Sequence, residues 1–180
     1  MLIVPGYQLV EELYESLQSV AYRARRESDA LPVIIKLIKD AQPTPFQVQR
    51  YEQEYEITSL LADRPGIVRV LALEKLGNTP VLVVEDFGGE SLKNLLRKRS
   101  LTFQEVLEIG TRVAASLAEI HEAKIIHKDI NPANIIYNPV SGEVKLIDFG
   151  ISTDTNPGLS RCTRVAMPKS MILATPVWGL

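Results

Sequence analysis

His127-Lys128-Asp129-Ile130-Asn131-Pro132-Ala133-Asn134, and downstream of it Lys145-Leu146-Ile147-Asp148-Phe149-Gly150, are the stretches whose reading decides this 180-residue chain. The first sets a carboxylate, Asp129, and a carboxamide, Asn134, five positions apart in a turn flanked by apolar runs. The second ends an apolar, strand-like run in an aspartate, Asp148, between Ile147 and Phe149. A carboxylate in that setting is costly to desolvate unless a cation or hydrogen-bond donors meet it. Two carboxylates and an Asn, without His or Cys ligands, are hard oxygen donors that suit Mg2+ and its phosphate-bound waters. Either piece alone is an ordinary turn former. Together, in this order and at this distance, they form a much more specific signal.

Outward from these stretches, the chain reads as strands first and helices later. Residues 7–12 (YQLVEE) and 19–25 (SVAYRAR) alternate apolar and polar side chains as two half-buried strands do. Residues 31–38 (LPVIIKLI) form a third, β-branched run with one lysine, Lys36, inside it. Residues 45–61 switch to helical spacing, with Phe46, Tyr51, Tyr55, Leu60 and Leu61 as the expected apolar stripe. Residues 67–73 and 81–84 return to strand, and Gly88-Gly89 breaks the chain before a short helix at 90–98. The longest periodic segment is 101–122, with Val106, Ile109, Val113, Leu117 and Ile120 on one face. Short β-rich pieces follow at 125–126, 134–137 and 144–147. The pattern predicts an α+β fold in two lobes.

In this order the motifs resemble the eukaryotic-type protein kinase domain, whose catalytic loop runs H-R-D-L-x-x-x-N and whose metal-binding strand ends in D-F-G. Val33-Ile34-Ile35-Lys36 is similar to the family's V-A-I-K strand, and Gln49 to Ile57 (QRYEQEYEI) resembles its helix αC. Val84 to Gly89 (VEDFGG) resembles the hinge between lobes. The resemblance implies a bilobal kinase-like fold over 1–153, with a complete β-rich N-lobe at about 1–86, a hinge at 85–89 and a partial helical C-lobe at 90–153. It also implies roles. Asp129 would accept or orient the proton of the attacking hydroxyl, and Asn134 and Asp148 would hold Mg2+ on the phosphates of ATP. Lys36 would neutralise phosphate charge, positioned by Glu54 in preference to its neighbours Glu52 and Glu56. Ile34 and Ile136 would sandwich the adenine, facing the Glu85 carbonyl and the Phe87 amide, with Ser16 near the phosphates. More narrowly, YRARR, EYEI, EDFGGESL, HKDINPANII and KLIDFGIS resemble the kinase domain that opens large bacterial multi-sensor signalling proteins.

The departures from the family pattern carry their own expectations. Where the family has G-x-G-x-x-G, residues 14–19 read YESLQS, so no glycine lets the backbone approach phosphates freely. Lys128 replaces the arginine that commonly pairs with a phosphorylated activation loop. Asn131 replaces a lysine of serine/threonine kinases, removing a cation from the transferred phosphate at the catalytic centre. After Gly150 only 30 residues remain and no A-P-E element is present. An exposed apolar face on the 101–122 helix, marginal stability and poor peptide phosphorylation are the expected consequences. Three functions compete. The first is a protein serine/threonine kinase acting on a protein substrate, as part of a larger signalling protein with further modules. The second is a pseudokinase-like binding module without turnover. The third, and poorest fit, is a small-molecule kinase of the aminoglycoside-phosphotransferase type.

Composition bounds the rest. A net charge of −2 offers no basic surface for nucleic acid, and no apolar stretch reaches the length of a membrane span. The first residues, MLIVPGYQLVEEL, lack a basic n-region and a long apolar h-region. One cysteine and two histidines build neither an internal disulfide nor a Cys/His zinc cluster. A cytoplasmic location is the expectation. All 22 acidic residues precede residue 155, so 154–180 reads as an atypical, poorly ordered tail, either a natural terminus or the product of a changed reading frame.

Overall fold

The β-branched, alternating runs of the first half pair into one antiparallel sheet. The computed structural model describes residues 2–155. Strands β1 (Tyr7–Glu15), β2 (Ser19–Arg26), β3 (Pro32–Ile38), β4 (Val70–Leu76) and β5 (Thr79–Glu85) line up in the order β1-β2-β3-β5-β4. Strand β1 runs three residues past its expected end. Register shifts between Leu9 and Glu11 and between Glu12 and Tyr14 break the alternation that would have shown this in the sequence. On β3 the period of two is clean. Val33, Ile35 and Leu37 are buried on one face in a cluster with Val20, Ala24, Val81 and Val83, whereas Ile34 and Lys36 face the other way.

Helix α1 (Pro45–Leu60) begins with a capping box. The Thr44 hydroxyl accepts the Gln47 amide, and the Gln47 side chain returns to the Thr44 amide. Its expected stripe is only partly correct. Tyr51 and Leu61 are buried, but Phe46 and Leu60 are 48% and 59% exposed. Beside Tyr51 and Ile57 the helix also buries Gln53, Glu54 and Thr58, because its inward face serves a polar site as well as the apolar core. Strand β4 starts three residues later than expected. The apolar pair that suggested an earlier start, Ile67-Val68, leans on the second lobe, where the Val68 amide donates to the Leu146 carbonyl at 3.1 Å.

The second lobe starts with β6 (Glu90–Ser91), α2 (Leu92–Lys98) and α3 (Phe103–Glu122). Ser91 caps α2, so residues 90 and 91 belong to a strand and not to the helix. Thr102 and Glu105 form a second capping box at the start of α3. Strands β7 (Ile125–Ile126), β8 (Ile135–Tyr137), β9 (Val144–Leu146) and β10 (Thr153–Asp154) follow, with β6-β8-β9 in one small sheet and β7-β10 in another. Ile109 and Ile120 are buried, and Val113 and Leu117 pack against their cluster. Val106, expected in that stripe, is 51% exposed beside Phe103 and Leu107 on an open apolar face. The expectations for the tail concern residues that lie, from 156 onward, outside the described part of the chain.

Candidate active site

Lys36 stands on β3 and Glu54 on the buried face of α1, and the two side chains meet. The Lys36 Nζ donates to Glu54 Oε1 at 3.0 Å and Oε2 at 2.8 Å. The same ammonium lies 3.2 Å from Asp148 Oδ1 and 5.5 Å from the centroid of the Tyr51 ring. Glu52 and Glu56, two positions to either side of Glu54, point to solvent. Burial disfavours the charged form of Lys36, yet Glu54 and Asp148 outweigh it and hold its pKa above the ordinary value. Burial raises the Glu54 carboxyl, and Lys36 only partly offsets it. Asp148 is also desolvated, but Lys36 prevails and keeps its carboxyl below the usual range.

Asp129, Asn131 and Asn134 are tied to this group through the backbone. The Ile147 amide donates to the Asn134 carbonyl at 3.1 Å, joining the loop to the strand that delivers Asp148. Both carboxylate oxygens of Asp129 are held, Oδ1 by the Asn131 amide and Oδ2 by the Asn134 amide, each at 2.9 Å. Asn131 Oδ1 in turn accepts the Ala133 amide at 2.8 Å. Two non-glycine residues here sit at positive φ, Lys128 at 69° and Asp148 at 66°, a conformation that costs energy and persists only where the surroundings enforce it. Lys128 hydrogen-bonds the Thr153 hydroxyl. Below the loop, His127 and Phe149 pack with ring centroids 4.6 Å apart, both almost wholly buried.

A cavity of about 400 Å³ opens between the β1–β2 turn, β3 and α1. Ser16, Lys36, Glu54 and Asp148 line it, together with Arg50 and Tyr51. The Ser16 hydroxyl is engaged inside its own turn, accepting the amides of Gln18 at 3.2 Å and Ser19 at 3.0 Å. The residues expected at the adenine lie outside this lining, at the junction of the lobes. Ile34 is half-buried on β3 and Ile136 half-buried on β8. Glu85 Oε1 accepts Lys145 Nζ at 2.6 Å, and the Phe87 carbonyl accepts the Asn138 amide at 2.7 Å. Gly89 permits this close arrangement, since a Cβ there would stand 2.6 Å from Ile136 and 3.0 Å from the Phe87 ring.

Comparison with known proteins decides the family, because the protein kinase domain model matches residues 7–175. The chain belongs to the protein kinase domain family. The match extends past residue 153, to which the motif resemblance reached. The chain is 31% identical over 153 residues to serine/threonine-protein kinase PknK of Mycobacterium tuberculosis, covering 84% of this chain and 14% of that protein. It is 30% identical over 166 residues to serine/threonine-protein kinase A of Synechocystis, covering 84% and 32%. Against serine/threonine-protein kinase PknA of Mycobacterium tuberculosis the identity is 31% over 127 residues, covering 67% and 29%. The chain thus spans at most about a third of the length of these kinases. Among the described residues, no helix is long and apolar enough to cross a membrane.

For a kinase domain, the hard-donor set is a reasonable fit to a divalent cation. The Asn134 amide nitrogen is committed to Asp129, which leaves the amide oxygen as a donor. The Asp148 side chain is about a third exposed beside Lys36. Among the described residues no three His, Cys, Asp or Glu side chains cluster as a metal cage, and Mg2+ characteristically needs only one or two protein ligands beside phosphate and water. Sequence reasoning overlooked Arg50 and Tyr51. Their signal was present, since Arg50 precedes Glu54 by four residues and so shares its helix face.

Proposed function

We propose that this chain is the catalytic domain of an ATP-dependent protein serine/threonine kinase, active on a hydroxyl of a protein substrate. The observation that carries this reading is a cavity holding Lys36, Glu54 and Asp148 as a buried ion-paired group. Asp129 is linked to it through Asn134. In the proposed reaction the substrate oxygen attacks the γ-phosphorus, the bond between that phosphorus and the β–γ bridging oxygen breaks, and ADP leaves. Asp129 takes the hydroxyl proton, its two oxygens oriented by Asn131 and Asn134. Lys36 stabilises phosphate charge and is held in place by Glu54. Asn134 and Asp148 are the residues that would hold Mg2+, which supplies charge neutralisation on the phosphates. Ile34 and Ile136, with the Glu85 carbonyl and Phe87 amide, are the proposed adenine contacts. We place the protein in the cytoplasm, within a longer signalling protein whose other modules supply regulation.

A second reading, nucleotide binding without turnover, is favoured by one observation. The turn amides of Gln18 and Ser19, which in a glycine-rich loop would face phosphates, are occupied by Ser16. Two assays separate the readings. ATP with Mg2+ should raise the melting temperature of the chain, and Asp148→Ala should abolish the rise. Transfer of radiolabelled phosphate to casein should then be detectable and lost in Asp129→Asn. A melting shift without any transfer would establish the second reading. No shift in a cooperatively melting chain would overturn the first. Lys36 is a poor choice for this test, because its removal strands the buried Glu54 charge and destabilises the fold itself.

A further inference from the structure

Resting on the kinase reading above, we propose that Arg50 binds the terminal phosphate of the nucleotide, doing from helix α1 what a glycine-rich loop would otherwise do from the β1–β2 turn. Arg50 lines the same cavity as Lys36 and Asp148. Among the described residues its guanidinium has neither an ion pair nor a hydrogen bond within the protein. Lys36, the other cation of the cavity, is already met by two carboxylates, Glu54 at 2.8 Å and Asp148 at 3.2 Å.

The position of Arg50 relative to the metal-binding strand is tightly bounded. A Cβ built on Gly150 would stand 3.6 Å from both Arg50 Nε and one of its terminal nitrogens, and 3.4 Å from Asp148 Oδ1. The guanidinium and the Asp148 carboxylate therefore border the same small space beside Gly150. Arg50 also helps to lower the Asp148 carboxyl, behind the larger effects of burial and Lys36. Several other donors near a terminal phosphate are engaged elsewhere, although the neutral Tyr51 hydroxyl, which lines the same cavity, has no hydrogen-bond partner. The amides of residues 18 and 19 point at Ser16, and Asn131 clamps Asp129 where a lysine would have offered charge. An arginine fork is well matched to a phosphate's oxygens in a way that a single amide is not. With Lys36 met by two carboxylates, the guanidinium, unpaired among the described residues, is the charged donor the cavity has left for the added phosphate.

The test is calorimetric titration of the 180-residue chain, Arg50→Gln and Arg50→Lys with ATP, ADP and AMP, each with and without Mg2+. Arg50→Gln should weaken ATP about tenfold, the usual worth of a charged hydrogen bond, while leaving AMP unchanged. Arg50→Lys should recover part of the loss. Equal weakening of all three nucleotides, or none, would overturn the assignment, since a merely structural residue does not discriminate by phosphate number. If the unsubstituted chain binds none of the three, the kinase reading falls and takes this inference with it. If it prefers ATP over AMP and Arg50→Gln keeps that preference, only the role of Arg50 falls. Should Arg50→Gln melt lower without nucleotide, the ATP-to-AMP ratio of Arg50→Lys carries the comparison, and an unchanged ratio there counts against the assignment.

Discussion

His127 shows how much a single side chain is constrained here. Its Nε2 lies 3.0 Å from the Ile147 carbonyl, which can only accept, so Nε2 carries the proton. Its Nδ1 accepts the Asp129 amide at 3.3 Å. A second proton on Nδ1 would face that amide directly, and burial already holds the imidazole below the ordinary 6.5. A base whose folded pKa is depressed gives stability that is complete above 6.5 and is lost as pH falls through the folded value. The imidazole proton resonances should therefore titrate with a midpoint below 6.5, and the melting temperature should decline across the same interval. A midpoint at or above 6.5 would contradict this geometry. The identity of His127 as a loop residue was legible from its motif, whereas its tautomer required the position of Ile147, twenty residues downstream. Asn131 has a similar history. From sequence it is a missing lysine, and in the fold it is the clamp on Asp129.

Among the elements, helix α3 and the segment leading into β4 meet closely at Gly66. A Cβ on Gly66 would stand 1.8 Å from the Ser116 hydroxyl and 2.8 Å from the Ser116 Cβ. Ser116 is itself buried, with its hydroxyl donating to the Arg112 carbonyl at 2.9 Å. Gly66→Ala would force the two elements apart and should cost about 1–3 kcal/mol, the usual range for overpacking. Urea unfolding would read this as a lower midpoint at unchanged slope, with the Gly66→Ala, Ser116→Gly double substitution recovering part of it. An unchanged midpoint would mean that the segment has room to move. Neither partner is conspicuous in the sequence, because Gly66 reads as a turn and Ser116 as one polar residue in a helix. The starts of α1 and α3, by contrast, were placed from helical spacing to within two residues, and the structure shows a capping box at each, at Thr44 and Thr102.

At the scale of the molecule, the two lobes share a core. Ile57 and Leu61, at the end of α1, and Ile67 beyond it sit in one apolar cluster with Ile109, Ile120, Leu146 and Phe149 of the second lobe. Backbone hydrogen bonds from Val68 to Leu146 and from Leu146 to Gly66 stitch the same junction, and the Lys145–Glu85 ion pair closes the hinge side. Removing Leu61, which is fully buried, should leave a cavity and cost about 2–5 kcal/mol. If the shared core couples the lobes, Leu61→Ala will lower the far-UV and near-UV circular dichroism transitions together. Two separated transitions would show that the lobes unfold independently. The open side of α3, with Phe103 at 79% and Leu107 at 54% exposure, lies away from this junction.

The sequence by itself determined the strands-then-helices order and the two lobes through local periodicity, and it offered the candidate site residues through short motifs that resemble a known family. The resemblance of its helix to the family pattern favoured Glu54, and helix spacing puts Glu52 and Glu56 on other faces. What only the tertiary structure decided were the matters set by distant partners. The polar inward face of α1 follows from Lys36 and Ser152 lying opposite Glu54 and Gln53. The late start of β4 follows from the attraction of Ile67 and Val68 to the second lobe, and the unpaired state of Arg50 from carboxylates already taken by Lys36. Periodicity reports which side of an element is apolar, but the chemistry on that side is fixed by whatever the rest of the chain brings to meet it.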